Sequence, residues 1–121
     1  MRCYRFPGEE KLKGKDQIRE VFNQRKGVSC KGARLFYMHN QLPHNRIAFT
    51  FSRKFGKAVE RNYSRRLSRE AYRHLRNELQ KGYDLVLLVY PGSDDFDTRM
   101  DQLKELFSRA GIFRNCHNGI K

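Results

Sequence analysis

Six arginines fall between positions 61 and 76: Arg61, Arg65, Arg66, Arg69, Arg73 and Arg76. A guanidinium stays charged at any ordinary pH and presents a planar fork of donors that fits a phosphate in bidentate fashion. On a helical wheel advancing about 100° per residue, with Arg61 at zero, Arg65, Arg76, Arg69, Arg73 and Arg66 fall near 40°, 60°, 80°, 120° and 140°, and Asn62 near 100°. Tyr63, Leu67, Ala71, Tyr72 and Leu75 are assigned to the opposite, core-facing side. Phe51 to Arg76 contains nine Lys/Arg against two Glu. A merely solvated helix interleaves opposite charges at i, i+4 and gains about 0.2–0.5 kcal/mol per pair. Here Arg61–Arg65, Arg65–Arg69 and Arg69–Arg73 are like-charged at that spacing, and Glu60 and Glu70 offset only part of the repulsion. A polyanionic partner accounts for such a face.

The arrangement narrows the kind of polyanion. A membrane-bound helix would need bulky apolar residues beside its charges, but the apolar side of this helix is required by the core. A helix reading DNA base edges would interleave Asn or Gln, and only Asn62 qualifies. Recognition of a folded RNA through phosphate position and shape fits better. Catalytic constellations are missing: the sequence has no phosphate-binding glycine loop, no HExxH and no nucleophile elbow. His39, His44, His74 and His117 are scattered, and Asp94, Asp95 and Asp97 suit the N-terminus of a helix, where negative charge is favoured. No catalytic residue and no metal ligand set is assigned.

The elements that must carry this face follow from hydrophobic spacing. The 121 residues suffice for one domain, expected to span 1–121 with its core at about 11–110. The net charge is +13, and the longest apolar run, Leu85 to Tyr90, is far shorter than a membrane span of about 18 residues. Three separated cysteines, Cys3, Cys30 and Cys116, offer neither a disulfide framework nor a metal knuckle, which suits a reduced, cytoplasmic protein. An irregular basic arm leads to a first helix capped by Asp16, striped by Ile18, Val21 and Phe22, and closed by Gly27. Val28 to His39 is strand-forming. Ile47, Phe49 and Phe51 alternate as a half-buried strand, and Asp84 to Tyr90 suits a central strand covered on both faces. A last helix, about Asp95 to Arg109, buries Phe96, Met100, Leu103, Leu106 and Phe107, and a loose tail follows Gly111.

Phe55-Gly56-Lys57-Ala58-Val59-Glu60-Arg61-Asn62, followed by Arg65-Arg66-Leu67 and Arg69-Glu70-Ala71-Tyr72-Arg73, resembles the signature of the bacterial ribonuclease P protein subunit. Ser52-Arg53-Lys54, Val21-Phe22 and Asp84-Leu85-Val86-Leu87 support it, and the likeness runs from about Lys11 to Arg109. In one departure, Tyr63 stands where the family's motif usually carries a third-position arginine. The resemblance implies an α/β fold, an α+β two-layer sandwich with a four-stranded sheet packed by three helices and a left-handed βαβ crossover. It implies that Lys54, Arg61, Asn62, Arg65, Arg66 and Arg69 contact ribonuclease P RNA, with Arg53, Lys57 and Arg73 in support. It also implies a cleft for the single-stranded 5′ leader of precursor tRNA, with Ile18 and Phe22 on the helix and Tyr37 or Met38 on the strand. The expected function is endonucleolytic removal of that leader, with the chemistry carried by the RNA subunit and its Mg²⁺ and the free protein a monomer. The alternative is a non-enzymatic RNA-binding protein of the ribosome or its assembly.

Overall fold

The structure, a computed structural model, describes residues 12, 15–24, 26–52, 56–92 and 95–113. Helix α1 (Lys15–Asn23) is followed by strands β1 (Gly27–Cys30), β2 (Ala33–His39) and β3 (Arg46–Phe51). Helix α2 (Ala58–Leu75), a 3₁₀ turn (Arg76–Glu78), strand β4 (Tyr83–Val89) and helix α3 (Phe96–Ala110) complete the order. The four strands form one mixed sheet in the order β1-β2-β4-β3; β1–β2 and β2–β4 are antiparallel, and β3 and β4 are parallel neighbours joined through α2. The sheet of four strands packed by three helices agrees with the expected α+β architecture.

The strand-forming segment Val28 to His39 is two strands of a hairpin, with Cys30 opposite Ala33. Lys31-Gly32 makes the two-residue turn, and Gly32 has φ of +90°, a conformation that only glycine adopts without strain. Gly27 opens β1 instead of closing α1, and Asp16 lies inside the first turn of α1 instead of capping it. Asp95 does cap α3, accepting a hydrogen bond from the Thr98 N–H at 2.8 Å.

Alternation along the strands sorts side chains onto two faces. Leu35, Ile47, Leu85, Leu87 and Val89 meet Ala71, Tyr72 and Leu75 of α2 and Leu103, Leu106 and Phe107 of α3 in the main core. The opposite parity puts Val86 and Ala48, with Phe36 and Met38, beneath Val21, Ile18 and Phe22 of α1. The main sandwich is therefore sheet against α2 and α3, and α1 adds a partial layer over β2 and β4. Central β4 is buried on both faces, with Leu85, Val86 and Leu87 closed to solvent, as its continuous apolar run requires. Among the described residues no helix is long and apolar enough to cross a membrane. The chain just after Gly111 is not loose: Ile112 is buried in the main core, its carbonyl accepts from the Gln80 N–H at 2.7 Å, and Phe113 bridges to Leu79. Leu12 of the arm is likewise buried, its N–H donating to the Ile47 carbonyl at 3.0 Å, while Cys3, Cys116 and His117 lie outside the described residues.

Candidate RNA-binding face

Helix α2 starts where a side chain can close its first turn. Glu60 Oε1 accepts from the Lys57 N–H at 2.9 Å, one of the orphan donors at a helix start. Gly56 just before it has φ of +141°, and a Cβ there would collide with that same Glu60 oxygen. The glycine and the glutamate of the signature are thus one local device. Its consequence is a helix that leaves the end of β3 and crosses the sheet with a defined start.

The roll of α2 about its axis differs from the wheel reading. Its buried residues are Ser64, Ser68, Ala71, Tyr72 and Leu75, whereas Tyr63 is 51% exposed and Leu67 is half-buried. Tyr72 falls near 20° at 100° per residue, not on the side opposite the arginines. The cause is Arg99 of α3, itself 1% exposed, whose Nη1 donates to Ser64 Oγ at 3.2 Å and to Ser68 Oγ. Its Nε donates to Gln102 Oε1 at 2.9 Å, and Gln102 Nε2 continues to the Lys31 carbonyl in the β1–β2 turn at 3.0 Å. A buried guanidinium requires acceptors, so the two serines turn inward.

This roll leaves Lys57, Asn62 and Arg66 exposed, and Arg61, Arg65, Arg69, Arg73 and Arg76 half-buried along one border of the helix. Arg65 donates to Asn62 Oδ1 at 3.0 Å and lies 5.2 Å above the Phe51 ring, a cation–π contact that orients the guanidinium. Arg73 is held by Glu70 at 2.6 Å, so part of its charge is already matched. Arg69 is different. Its Nε is buried without a hydrogen-bond partner, and burial, followed by the like charge of Arg65, pushes its guanidinium below the ordinary arginine value. A cation destabilised by desolvation and by its neighbour is one that an incoming anion relieves. Arg53 and Lys54 lie outside the described residues.

The second expected site gathers only in part. Ile18 and Phe22 of α1 pack with Met38, and also with Phe36, which the motif does not single out. Phe22 and Phe36 meet edge-on with ring centroids 4.7 Å apart, and the Arg34 guanidinium carbon lies 5.0 Å from the Phe36 centroid. An open depression of about 300 Å³ is lined by Lys15, Ile18, Arg19 and Phe22. Tyr37 does not join them: it projects from the other face of β2, packs against the main core and lies 6.3 Å from the Tyr83 ring. Residues 36 and 38 share one parity and 37 the other, so only Met38 of the expected pair belongs with α1. The signal for Phe36 was the alternation itself, with buried Leu35 marking the opposite face.

Beside the cleft, Asp84 is buried and accepts from Arg46 Nε at 2.8 Å, Arg46 Nη2 at 2.7 Å and Asn40 Nδ2 at 2.9 Å. That hydrogen bond to Asp84 is the main cause holding the Arg46 guanidinium above its ordinary value. This pair fastens the entrance of β3 to that of β4 and uses up its own charges. Cys30 is half-buried, and burial pushes its thiol up, which disfavours the reactive thiolate.

Comparison with known proteins agrees with the motif. The Ribonuclease P family model matches residues 6–111. The ribonuclease P protein component of Dictyoglomus turgidum is 31% identical over 118 residues, covering 94% of this chain and 99% of the relative. That of Clostridium botulinum strain 657 is 34% identical over 108 residues, covering 87% and 97%. Among solved structures, the RNase P protein from Thermotoga maritima superposes with a TM-score of 0.69 at 26% identity, covering 79% of this chain and 93% of that one. The Staphylococcus aureus RNase P protein gives 0.77 at 18% identity, covering 87% and 98%, a likeness of fold. Nothing in these matches favours a ribosomal protein. A basic helix whose roll is set from beneath, on a four-stranded α+β scaffold with these relatives, places the chain in the ribonuclease P protein family as a subunit of the bacterial kind.

Proposed function

We propose that this subunit binds the catalytic RNA of ribonuclease P through α2 and holds the 5′ leader of precursor tRNA in the cleft between α1 and the sheet. The observation that carries the reading is Arg69: a half-buried cation whose Nε is buried without a partner and whose neighbour Arg65 carries like charge is stabilised by a phosphate brought close to its exposed part. Lys57, Arg61, Asn62, Arg65, Arg66 and Arg69 contact the RNA backbone in this reading, and Arg73 supports them while shared with Glu70. Arg53 and Lys54 enter this reading through the family motif alone.

The leader is taken by Ile18, Phe22 and Met38, and Phe36 is added to them because it stands on the same face. Aromatic surface suits a single strand, since stacking contributes about 1–3 kcal/mol per base without demanding a sequence. Hydrolysis of the phosphodiester is assigned to the RNA subunit and its Mg²⁺. Among the described residues no three His, Cys, Asp or Glu side chains gather as a metal site. The protein's part is electrostatic and positional: its cations offset phosphate repulsion between RNA subunit and substrate.

The test is reconstitution. The protein is mixed with a transcribed bacterial ribonuclease P RNA, and 5′ maturation of precursor tRNA is followed at low Mg²⁺. Protein-dependent maturation is expected. Maturation unaffected by the protein overturns the proposal, and cleavage by the protein without RNA would make it a nuclease in its own right.

A further inference from the structure

We infer that Tyr63, seated beside Val59, is a stacking platform for one unpaired base of the bound RNA, at the border of the arginine face. Val59 is 77% exposed and Tyr63 51% exposed, the two most exposed large hydrophobic side chains among the described residues. They stand at i and i+4 on α2 and therefore touch the same stretch of helix surface. Half-buried Leu67, at i+4 from Tyr63, continues the row along the helix. Exposed Arg66 lies three residues after Tyr63, and exposed Asn62 adjoins it. An apolar ring thus stands at the edge of a cationic patch.

The occupant follows from charge and shape. A second copy of this chain would bring +13 against +13, which opposes association through this face. A folded RNA presents both chemistries the border offers: phosphates for Arg66 and the unstacked π-face of a looped-out base for Tyr63. The signature's usual arginine at this position would add a phosphate partner, and tyrosine offers in its place a ring held by only two torsions. The inference rests on the reading of α2 as the RNA face, and it adds an interaction that does not depend on salt.

The experiment measures the affinity of the full chain for a transcribed bacterial ribonuclease P RNA over a series of salt concentrations. Tyr63→Ala is expected to weaken binding by about 5- to 150-fold, the range that corresponds to removal of one base stack, while the log–log salt slope stays unchanged because no cation is removed. Tyr63→Phe should bind as the parent does. The sequence has no tryptophan, so Tyr63→Trp supplies a sole indole whose emission should be quenched when RNA binds. The inference is overturned if Tyr63→Ala binds as the parent does while Arg65→Ala with Arg69→Ala weakens binding. If the double arginine variant also binds normally, the RNA-face reading fails with it. A protein dimer that forms without RNA and is abolished in Tyr63→Ala would assign the ring to self-association instead.

Discussion

Arg99 of α3 donates from Nη1 to Ser64 Oγ of α2 at 3.2 Å, across an interface closed to solvent. Ser68, one turn further along α2, accepts from the same nitrogen. Two serines on a charged helix look like solvent-facing residues, yet here they accept from Nη1 of a buried cation, alongside the Gln102 oxygen that accepts from its Nε. They fix which border of α2 faces outward, and so they place the arginines without touching any partner.

Removing an acceptor should therefore weaken the fold. Ser68→Ala is expected to cost about 1–3 kcal/mol, the penalty of leaving a buried donor short of a partner. Arg99→Ala, which also leaves a cavity between the helices, should cost about 2–5 kcal/mol. Urea unfolding of each variant measures both; midpoints equal to that of the parent would mean that the network does not hold α2 in place.

The half-buried Arg69 beside Arg65 makes the free protein responsive to anions. At constant ionic strength, sulfate should raise the melting temperature above that in chloride, by an amount that grows with sulfate concentration, because an anion bound only to the folded state stabilises it. Arg69→Ala should shrink the difference. Identical melting curves in the two salts would count against an anion site here.

Neutralised phosphates leave their own signature in the salt dependence of binding. Arg65→Ala with Arg69→Ala should lower the log–log salt slope of RNA binding by roughly 0.7–0.9 for each phosphate that is no longer neutralised. A slope unchanged in filter-binding titrations would mean that the arginines are only solvated.

On the other side of the sheet, parity predicts which strand residues matter for the substrate. Phe36→Ala should weaken binding of precursor tRNA by about 1–3 kcal/mol and Met38→Ala should weaken it in the same direction, with little change for mature tRNA, since only the precursor carries a leader to stack on the ring. Tyr37→Phe, altered on the core side, should leave the preference for precursor intact. The reverse pattern would put the leader elsewhere.

Acid should destabilise the protein through identifiable carboxylates. Glu70 is held below its ordinary value chiefly by the hydrogen bond from Arg73, with further help from the charges of Arg73 and His74. Asp95 is held down chiefly by hydrogen bonds from Thr98. A depressed folded pKa contributes stability that is complete above the unfolded value of about 4 and disappears as pH falls through the folded value. The urea midpoint should thus be flat near neutrality and fall below about pH 4. Glu70→Gln and Asp95→Asn should each flatten that acid limb; an unchanged limb in both would place the linkage on other carboxylates.

Much of the scaffold was legible in the order of residues because it is written locally. The continuous run Leu85 to Val89 marks a strand covered on both faces, and it is one of the two inner strands. Asp95 caps its helix through its own backbone neighbours. The hairpin turn at Lys31-Gly32 was not legible, because the strand formers on either side mask a two-residue reversal that depends on a single positive φ.

The sequence by itself determined the cationic character of α2 and the family to which the chain belongs, since charge and motif spacing are properties of the chain wherever it folds. Only the tertiary structure decided which arc of α2 is buried, that Tyr63 faces out, and that Phe36 rather than Tyr37 joins Met38 beneath α1. The reason is the same in each case. A helix or strand carries its pattern in one dimension, but its roll and its facing are set by the atoms across from it, here a guanidinium from α3 and a phenyl ring from α1.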